Sequence, residues 1–301
     1  MSNAVADFNM AFAYLQGRGV ARDLALSREH FGRAADAGHL QAKRILVALL
    51  ANGTTGGSDW QAAMQRLQEL KSSGDAQAAR QMELLGRMNL DVEGDPKQDF
   101  QGKRLSERPE VTVFADLFTE AERRYLMDAA LPAYQPATVG HVAGGHARQV
   151  VQQVRTCDVA AFPWIAEDPV IHAFNRRIAA AAGVAVETGE PLQILRYQPG
   201  QEFKPHRDST EDTENQRVLT MLVYLNDAYT GGETLFLSND LKVRGKAGDG
   251  LLFRNADANG VADPDSLHAG LPVESGEKVV ASRWIRQKRF GPSASSGSAR
   301  A

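Results

Sequence analysis

The sequence predicts an α+β protein, with helices gathered at the N-terminus and a larger strand-rich domain after them. Three observations carry this. The first ninety residues are rich in Ala, Leu and Gln at helical spacing and repeat at an offset of 36. Beyond residue 110, apolar or β-branched runs of strand length recur between Gly and Asn-Asp turns. Between the two lies "DVEGDPKQDFQGKRLSERPE", residues 91–110, which is polar, mixed in charge and without an apolar period. It reads as a linker. The expected division is therefore a helical module over 1–90, a linker over 91–110, a strand-rich domain over 111–291 and a disordered tail over 292–301, "PSASSGSARA".

Composition sets the outer bounds. A chain of 301 residues has room for about two domains, each able to bury a core. Hydrophobic content of 43% and charged content of 24% are ordinary for globular protein. A net charge of -3 and a pI near 6.2 point to no dominant nucleic-acid or membrane-surface partner. One cysteine, Cys157, excludes an intrachain disulfide and fits a reducing compartment, so a cytoplasmic location is expected. The longest strongly apolar run, residues 45–51, is too short to span a bilayer. No basic segment followed by an apolar core opens the chain, and no secretory signal is expected. The initial "MSNA" is set aside from the fold reading.

In the helical module, Gly17 matches Gly53, Asp23 matches Asp59, Gly38 matches Gly74, Gln41 matches Gln77 and Ala42 matches Ala78. "YLQGRG" ends a helix at a glycine, where a left-handed cap costs little. "RAADAGHLQAKRIL" places small alanines where two helices approach, with Gly38 at the turn. The first copy, "AFAYLQGRGVARDLALSREHFGRAADAGHLQAKRIL", resembles the tetratricopeptide-like repeats of the Sel-one-like family. The second copy departs from it, with Lys71 where Ala35 stands and Thr55 where Gly19 stands. His30 and His39 fall in these helices and are read as packing residues.

In the second domain the expected strands are "VTVFA", "RQVVQQVRT", "PLQILRYQ", "RVLTMLVYLND", "TLFL", "GLLFRNA" and "EKVVASRWI". Two helices interrupt them. "FTEAERRYLMDAA" begins with a capping box from Thr119 to Glu122. "EDPVIHAFNRRIAAAAG" has Asp168 as N-cap, Pro169 at the first helical position and Gly183 at the end. Many strands with few helices suggest a sandwich with helices packed on one side.

"GQEFKPHRDST" carries His206 and Asp208, spaced to share one face of a strand. Buried polar groups there need a partner, and a metal ion is a candidate. With seven His and 20 Asp in the chain, about half a His-x-Asp pair arises by chance, so the pair alone is weak. His268 in "SLHAGLPV" supplies a second imidazole, and Lys278 follows in "SGEKVVASRWIR". Two imidazoles and a carboxylate leave positions open on an octahedral metal, which suits non-haem Fe(II). Zinc would accept the same three donors. Lys278 favours iron, because a buried lysine near a metal needs an anion and an organic diacid supplies one.

These residues sit in ordered blocks. "QILRYQPGQEFKPHRD", "RVLTMLVYLNDAYTGGETLF" and "GDGLLFRNADANGVADPDSLHAGLPVESGEKVVASRWIR", with "VRTCDVA" upstream, resemble the prolyl 4-hydroxylase branch of the 2-oxoglutarate and Fe(II)-dependent dioxygenases over residues 111–290. The resemblance implies a double-stranded β-helix, or jelly roll, with His206 and Asp208 on one strand, His268 on its neighbour and Lys278 on the facing sheet. It implies that His206, Asp208 and His268 bind Fe(II), that Lys278 pairs with the distal carboxylate of 2-oxoglutarate, and that Tyr197 hydrogen-bonds near it. O2 is the implied second cosubstrate and ascorbate an optional reductant. The implied reaction decarboxylates 2-oxoglutarate to succinate and CO2 while hydroxylating a substrate, expected to be prolyl residues of a protein or peptide contacted by the repeats.

The remaining residues have plainer readings. Trp284 is read as core packing, and Arg217 as a group near the site or a charge at a strand edge. His141 and His146 fall in a Gly-rich loop, "GHVAGGHARQ", read as a lid. His172 is read as structural, and Cys157 as inert if buried. Two other functions stay open at this point: hydroxylation of a free amino acid or small molecule, and a non-catalytic interaction protein whose repeats work beside a metal- or oxoglutarate-sensing β-domain.

Overall fold

A computed structural model describes residues 3–137, 139–143, 146–150, 154–210 and 214–291, with backbone alone over 139–150. The expected tail over 292–301 lies outside the described residues. The chain divides into two compact units, one holding residues 3–98 and Phe162–Arg177, the other Asp99–Ala161 and Ile178–Phe290.

The first unit is helical: α1 (Ala4–Gln16), α2 (Leu24–Asp36), α3 (Leu40–Asn52), α4 (Trp60–Ser72) and α5 (Ala76–Leu85). The offset of 36 recurs in the helices themselves, since α3 starts 36 residues after α1, α4 after α2 and α5 after α3. The matched residues do matched work. Asp23 and Asp59 accept from the amides of Leu26 and Ala62, both at 2.9 Å, as N-caps. Gly17 and Gly53 end their helices at φ 69°. Phe31, Ala34, Ala35, Leu49 and Ala63 have no exposed surface or almost none, and Phe12 meets Phe31 edge-on at 5.3 Å. His39 is both cap and packing residue, accepting from Ala42 N and stacking on Phe8.

Residues Phe162–Arg177 join this unit, although the sequence reading places them in the strand-rich domain. Long-range bonds draw them in. Asn52 donates to the Trp164 carbonyl at 2.8 Å, Gln81 to Asp168 Oδ2 at 2.8 Å, and Arg176 to the Glu93 carbonyl at 2.7 Å. His172 pairs with Glu167 at 2.6 Å in a buried position, in keeping with a structural role.

The second unit begins with β1 (Lys103–Glu107), β2 (Glu110–Phe114) and α6 (Glu120–Ala130). Next come β3 (Gln135–Pro136), β4 (Val139–Ala143), β5 (His146–Val150), β6 (Asp158–Ala161) and α7 (Pro169–Ala182), within which the two units divide. After these lie β7 (Gln193–Tyr197), β8 (Phe203–His206), β9 (Arg217–Tyr224), β10 (Tyr229–Gly231), β11 (Thr234–Phe236) and β12 (Leu241–Val243). Last are β13 (Gly250–Arg254), β14 (His268–Gly270), β15 (Val273–Gly276) and β16 (Lys278–Arg286). One antiparallel sheet runs β1-β2-β13-β9-β16-β7-β6-β3, and a second runs β12-β11-β14-β8. Their inner faces share a core: Phe236 and Val243 from the smaller sheet pack with Tyr224, Leu251 and Phe253 from the larger. This is the sandwich expected of a jelly roll.

The linker reading needs correction at β1. Lys103–Glu107 is a strand paired with β2, inside the segment read as unstructured. It is an edge strand with almost every residue exposed. Main-chain bonding holds it, so no apolar period marks it in sequence. Both helix starts agree with expectation. The Thr119–Glu122 capping box is complete, and Asp168 Oδ1 accepts from the amides of Val170 and Ile171. The segment read as a Gly-rich loop forms a hairpin, β4 with β5, whose side chains, including His141 and His146, lie outside the description. Among the described residues, no helix is long and apolar enough to cross a membrane.

Candidate functional site: a His-Asp-His centre beside a buried lysine

Strand pairing brings the two histidines together. β14 runs antiparallel to β8 with His268 directly opposite His206, and their rings lie 4.3 Å apart between centroids. Positions 62 residues apart in sequence thus become one cross-strand pair. Asp208 departs from the expected placement on the same strand, because β8 ends at His206. Beyond that pair the chain leaves the small sheet, and the Asp208 carboxylate takes a hydrogen bond from Thr220 on β9 of the large sheet. The outcome is still convergent. Asp208 Oδ1 lies 3.6 Å from His206 Nε2 and Oδ2 lies 3.8 Å from His268 Nε2. Among the described residues these three form the one group of His, Cys, Asp or Glu close enough to hold an ion.

Each histidine is oriented by the chain itself. His206 Nδ1 donates to the Lys204 carbonyl at 2.8 Å, and His268 Nδ1 donates to the Ser266 carbonyl at 2.9 Å. A proton held on Nδ1 leaves the Nε2 lone pair free, the state a metal ligand requires. Burial, with only partial relief from Asp208, drives the His268 pKa down, which also favours neutral imidazole. Burial pushes the Asp208 carboxyl the other way, but His206, His268 and Thr220 outweigh it and hold the group below the usual carboxylate range. Two imidazoles and an ionised carboxylate, all converging, fit a divalent cation.

Lys278 opens β16 in the facing sheet, as expected. It stands directly opposite Tyr197 on β7, and its Nζ lies 5.4 Å from the centre of the Tyr197 ring. The ammonium donates to the Gly232 carbonyl at 2.7 Å. Burial lowers its pKa to about 8, with Glu233 pulling weakly upward. Such a cation is costly until an anion joins it. Tyr197 is buried too; burial and the neighbouring Cys157 raise its phenol well above the ordinary value, so it stays a neutral hydrogen-bonding group. The triad, Lys278 and Tyr197 line one pocket that is partly open to solvent.

Further residues stand at or near this pocket, and of them sequence reasoning gave Arg155 no role. Arg155 is buried, donates to Cys157 Sγ at 3.3 Å, and its Nη2 has no partner among the described residues. Trp284, read as core packing, lines the pocket, and its enclosed Nε1 has no partner among the described residues. Arg217 is no edge charge, since β9 lies between β13 and β16. It stacks on Trp284 at 3.7 Å and forks onto Glu190 at 2.6 and 2.9 Å. Thr220 and Asn255 stand behind Asp208, with Asn255 donating to Thr220 Oγ1 at 2.8 Å. One signal was readable: Thr220 is the only polar residue between Val218 and Val223 in an otherwise apolar strand. Asn255 carried none.

Comparison with known proteins agrees with this geometry. Residues 192–286, which span the triad and Lys278, match the 2OG-Fe(II) oxygenase superfamily model. A prolyl 4-hydroxylase 1 of Arabidopsis thaliana is 38% identical over 203 residues, 61% of this chain and 71% of that protein. A probable prolyl 4-hydroxylase 10 of the same plant is 32% identical, covering 66% of this chain and 76% of that protein. Among solved structures, a viral collagen prolyl hydroxylase from Paramecium bursaria Chlorella virus-1 is 25% identical with a TM-score of 0.43, covering 59% of this chain and 96% of that one. The chain belongs to the 2-oxoglutarate- and Fe(II)-dependent dioxygenases, on their prolyl 4-hydroxylase-like branch.

Proposed function

We propose that His206, Asp208 and His268 hold Fe(II), that Lys278 and Tyr197 hold the distal carboxylate of 2-oxoglutarate, and that the substrate is a prolyl residue of a protein or peptide. The observation that carries this is one pocket in which three convergent donors face a buried lysine from the opposite sheet. The overall reaction takes 2-oxoglutarate, O2 and a substrate C–H to succinate, CO2 and the alcohol. Bound iron supplies the oxygen chemistry. The chain supplies the rest. The Lys204 and Ser266 carbonyls aim the imidazoles, and the pocket wall of Leu195, Leu222, Phe253 and Val280 keeps water from the reacting centre. Lys278 neutralises a carboxylate that would otherwise be costly to bury. A neutral Tyr197 phenol beside Lys278 is placed to donate to the same group.

The prolyl reading rests on the relatives named prolyl 4-hydroxylase and on the matching blocks around the triad. The helical unit is assigned to holding the polypeptide around the target residue, because repeat arrays present extended surfaces. A cytoplasmic location is retained on the single cysteine.

The test is oxygen-dependent succinate formation from 2-oxoglutarate with Fe(II) and ascorbate, with and without proline-rich peptides. Peptides gaining the mass of one oxygen atom at proline support the whole reading. Succinate production no higher than that of His206→Ala, with or without peptide, sinks it. Oxygen gain at another residue type, or on a free amino acid alone, keeps the enzyme and replaces the substrate.

A further inference from the structure

We propose that Gln216, which does not line the pocket, is a positioning residue for Asp208: its side-chain amide stands in for a strand neighbour and pins the chain just beyond the carboxylate. The inference rests on the metal reading above and concerns what holds one corner of that site in place.

Asp208 lies in a stretch that no sheet holds. β8 ends at His206 and β9 starts at Arg217, and Asp208, Ser209 and Thr210 belong to neither. Their backbone groups still need partners. At Thr210 one side chain supplies both. Gln216 Oε1 accepts from the Thr210 amide at 2.6 Å, and Gln216 Nε2 donates to the Thr210 carbonyl at 2.7 Å. An N–H and a C=O of one residue bonded to a single partner is the pattern of a hydrogen-bonded pair in an antiparallel ladder. The amide is itself held. Its Oε1 also accepts from the Arg217 amide at 2.9 Å, at the start of β9. The Gln216 main chain is bonded on both sides to Gln287, its N–H donating to Gln287 Oε1 at 3.2 Å and its carbonyl accepting from the Gln287 amide at 3.0 Å. Gln216 is buried, so water competes little for these bonds. Ser209 alone separates Asp208 from the clamped residue, so fixing Thr210 limits where the carboxylate can lie. Thr220 holds the carboxylate, and Gln216 holds the main chain that carries it. The clamp also closes the neck of residues 211–215, which makes the length of that segment immaterial to Asp208.

The test separates metal affinity from stability. Mn(II) affinity is measured on the full chain by loss of the free-ion EPR signal, and unfolding midpoints are measured without metal. Gln216→Met keeps the length of the side chain and removes its amide. It is expected to bind Mn(II) about tenfold more weakly. Asn226 is the control, because its amide makes a similar double bond to main chain elsewhere: Nδ2 donates to the Glu277 carbonyl at 2.7 Å and Oδ1 accepts from the Val279 amide at 2.9 Å, on either side of Lys278. Asn226→Ala is expected to lower the unfolding midpoint and leave Mn(II) affinity parental. Equal losses of affinity in the two variants would make Gln216 merely structural and overturn the inference. Parental affinity in Gln216→Met overturns it too, while leaving the metal site standing. If Gln216→Met fails to fold, two glycines inserted between Asp212 and Thr213 carry the test. A clamped neck predicts parental Mn(II) affinity for that insertion, and an affinity that falls about tenfold overturns the clamp. A parent chain that binds Mn(II) no better than His206→Ala removes the metal reading and the inference together.

Discussion

In the helical unit the caps close within three residues: Asp23 to Leu26, Asp59 to Ala62 and Asp75 to Ala78, each at 2.9 Å. In the pocket the contacts that matter span the sequence. His206 meets His268, Thr220 meets Asp208, Asn255 meets Thr220 and Lys278 faces Tyr197. The first unit is built from short-range rules used twice, whereas the second owes its site to strand register. The difference teaches where a single substitution acts. In the repeats it changes a local increment of stability. In the pocket it removes one of several groups that work only together.

The sharpest break is His268→Ala. It deletes a proposed ligand and a cross-strand partner at once, and is expected to abolish Mn(II) binding and reduce succinate formation to assay background. Far-ultraviolet circular dichroism should retain the helical signal of α1–α5. Loss of that signal would mean the two regions are not separable in the way the contact pattern implies.

Lys278→Ala comes next. Removing the buried cation is expected to weaken 2-oxoglutarate binding about a hundredfold or more, measured anaerobically on the Mn(II)-loaded chain. Lys278 also makes the pocket sensitive to pH. Its folded pKa of about 8 lies below the ordinary 10.5. Without cosubstrate, the unfolded chain binds the extra proton between those values, so stability rises from about pH 8 toward 10.5 and that contribution is lost as pH falls through 8. Cosubstrate affinity runs oppositely, because the carboxylate needs the charged ammonium, and falls above about pH 8. A flat affinity profile from pH 7 to pH 9 would count against Lys278 as the partner.

Two glycines at matched positions sharpen the comparison within the repeats. Gly17 and Gly53 share φ 69°. A Cβ on Gly17 would meet nothing nearer than Arg22 Cβ at 3.4 Å, whereas on Gly53 it would meet Ser58 N at 2.5 Å and Gly57 C at 2.9 Å. Gly17→Ala should cost about 1–2 kcal/mol for the left-handed backbone alone. Gly53→Ala should cost clearly more in denaturant unfolding, since backbone must move as well. Equal costs would show that the conformation, not the packing, sets the price. The smallest effect is Asp23→Ala, expected to lose about 1 kcal/mol of stability with the parental Mn(II) affinity retained.

Much of this was legible before any fold was known. Helical period, caps and the repeat of 36 were readable because a helix satisfies its backbone within four residues, so its signals lie close together in sequence. The triad, Tyr197 and Lys278 were readable as candidates because their residue types stand in ordered blocks. Strand β1 was not, since an exposed edge strand is held by backbone bonds that any sequence can make. Arg155 and the Asn255–Thr220 pair were not assigned either. A buried polar side chain announces itself only through the partner it finds, and here that partner lies up to 35 residues away.

What the sequence determined by itself is the order of elements, the local caps and the chemical inventory of the site. What tertiary structure alone decided is how those groups meet: that His268 stands directly opposite His206, and that Asp208 leaves its strand to reach Thr220. The reason is physical. Register and sheet packing are set by burial summed over many residues, and no single stretch of chain contains that sum.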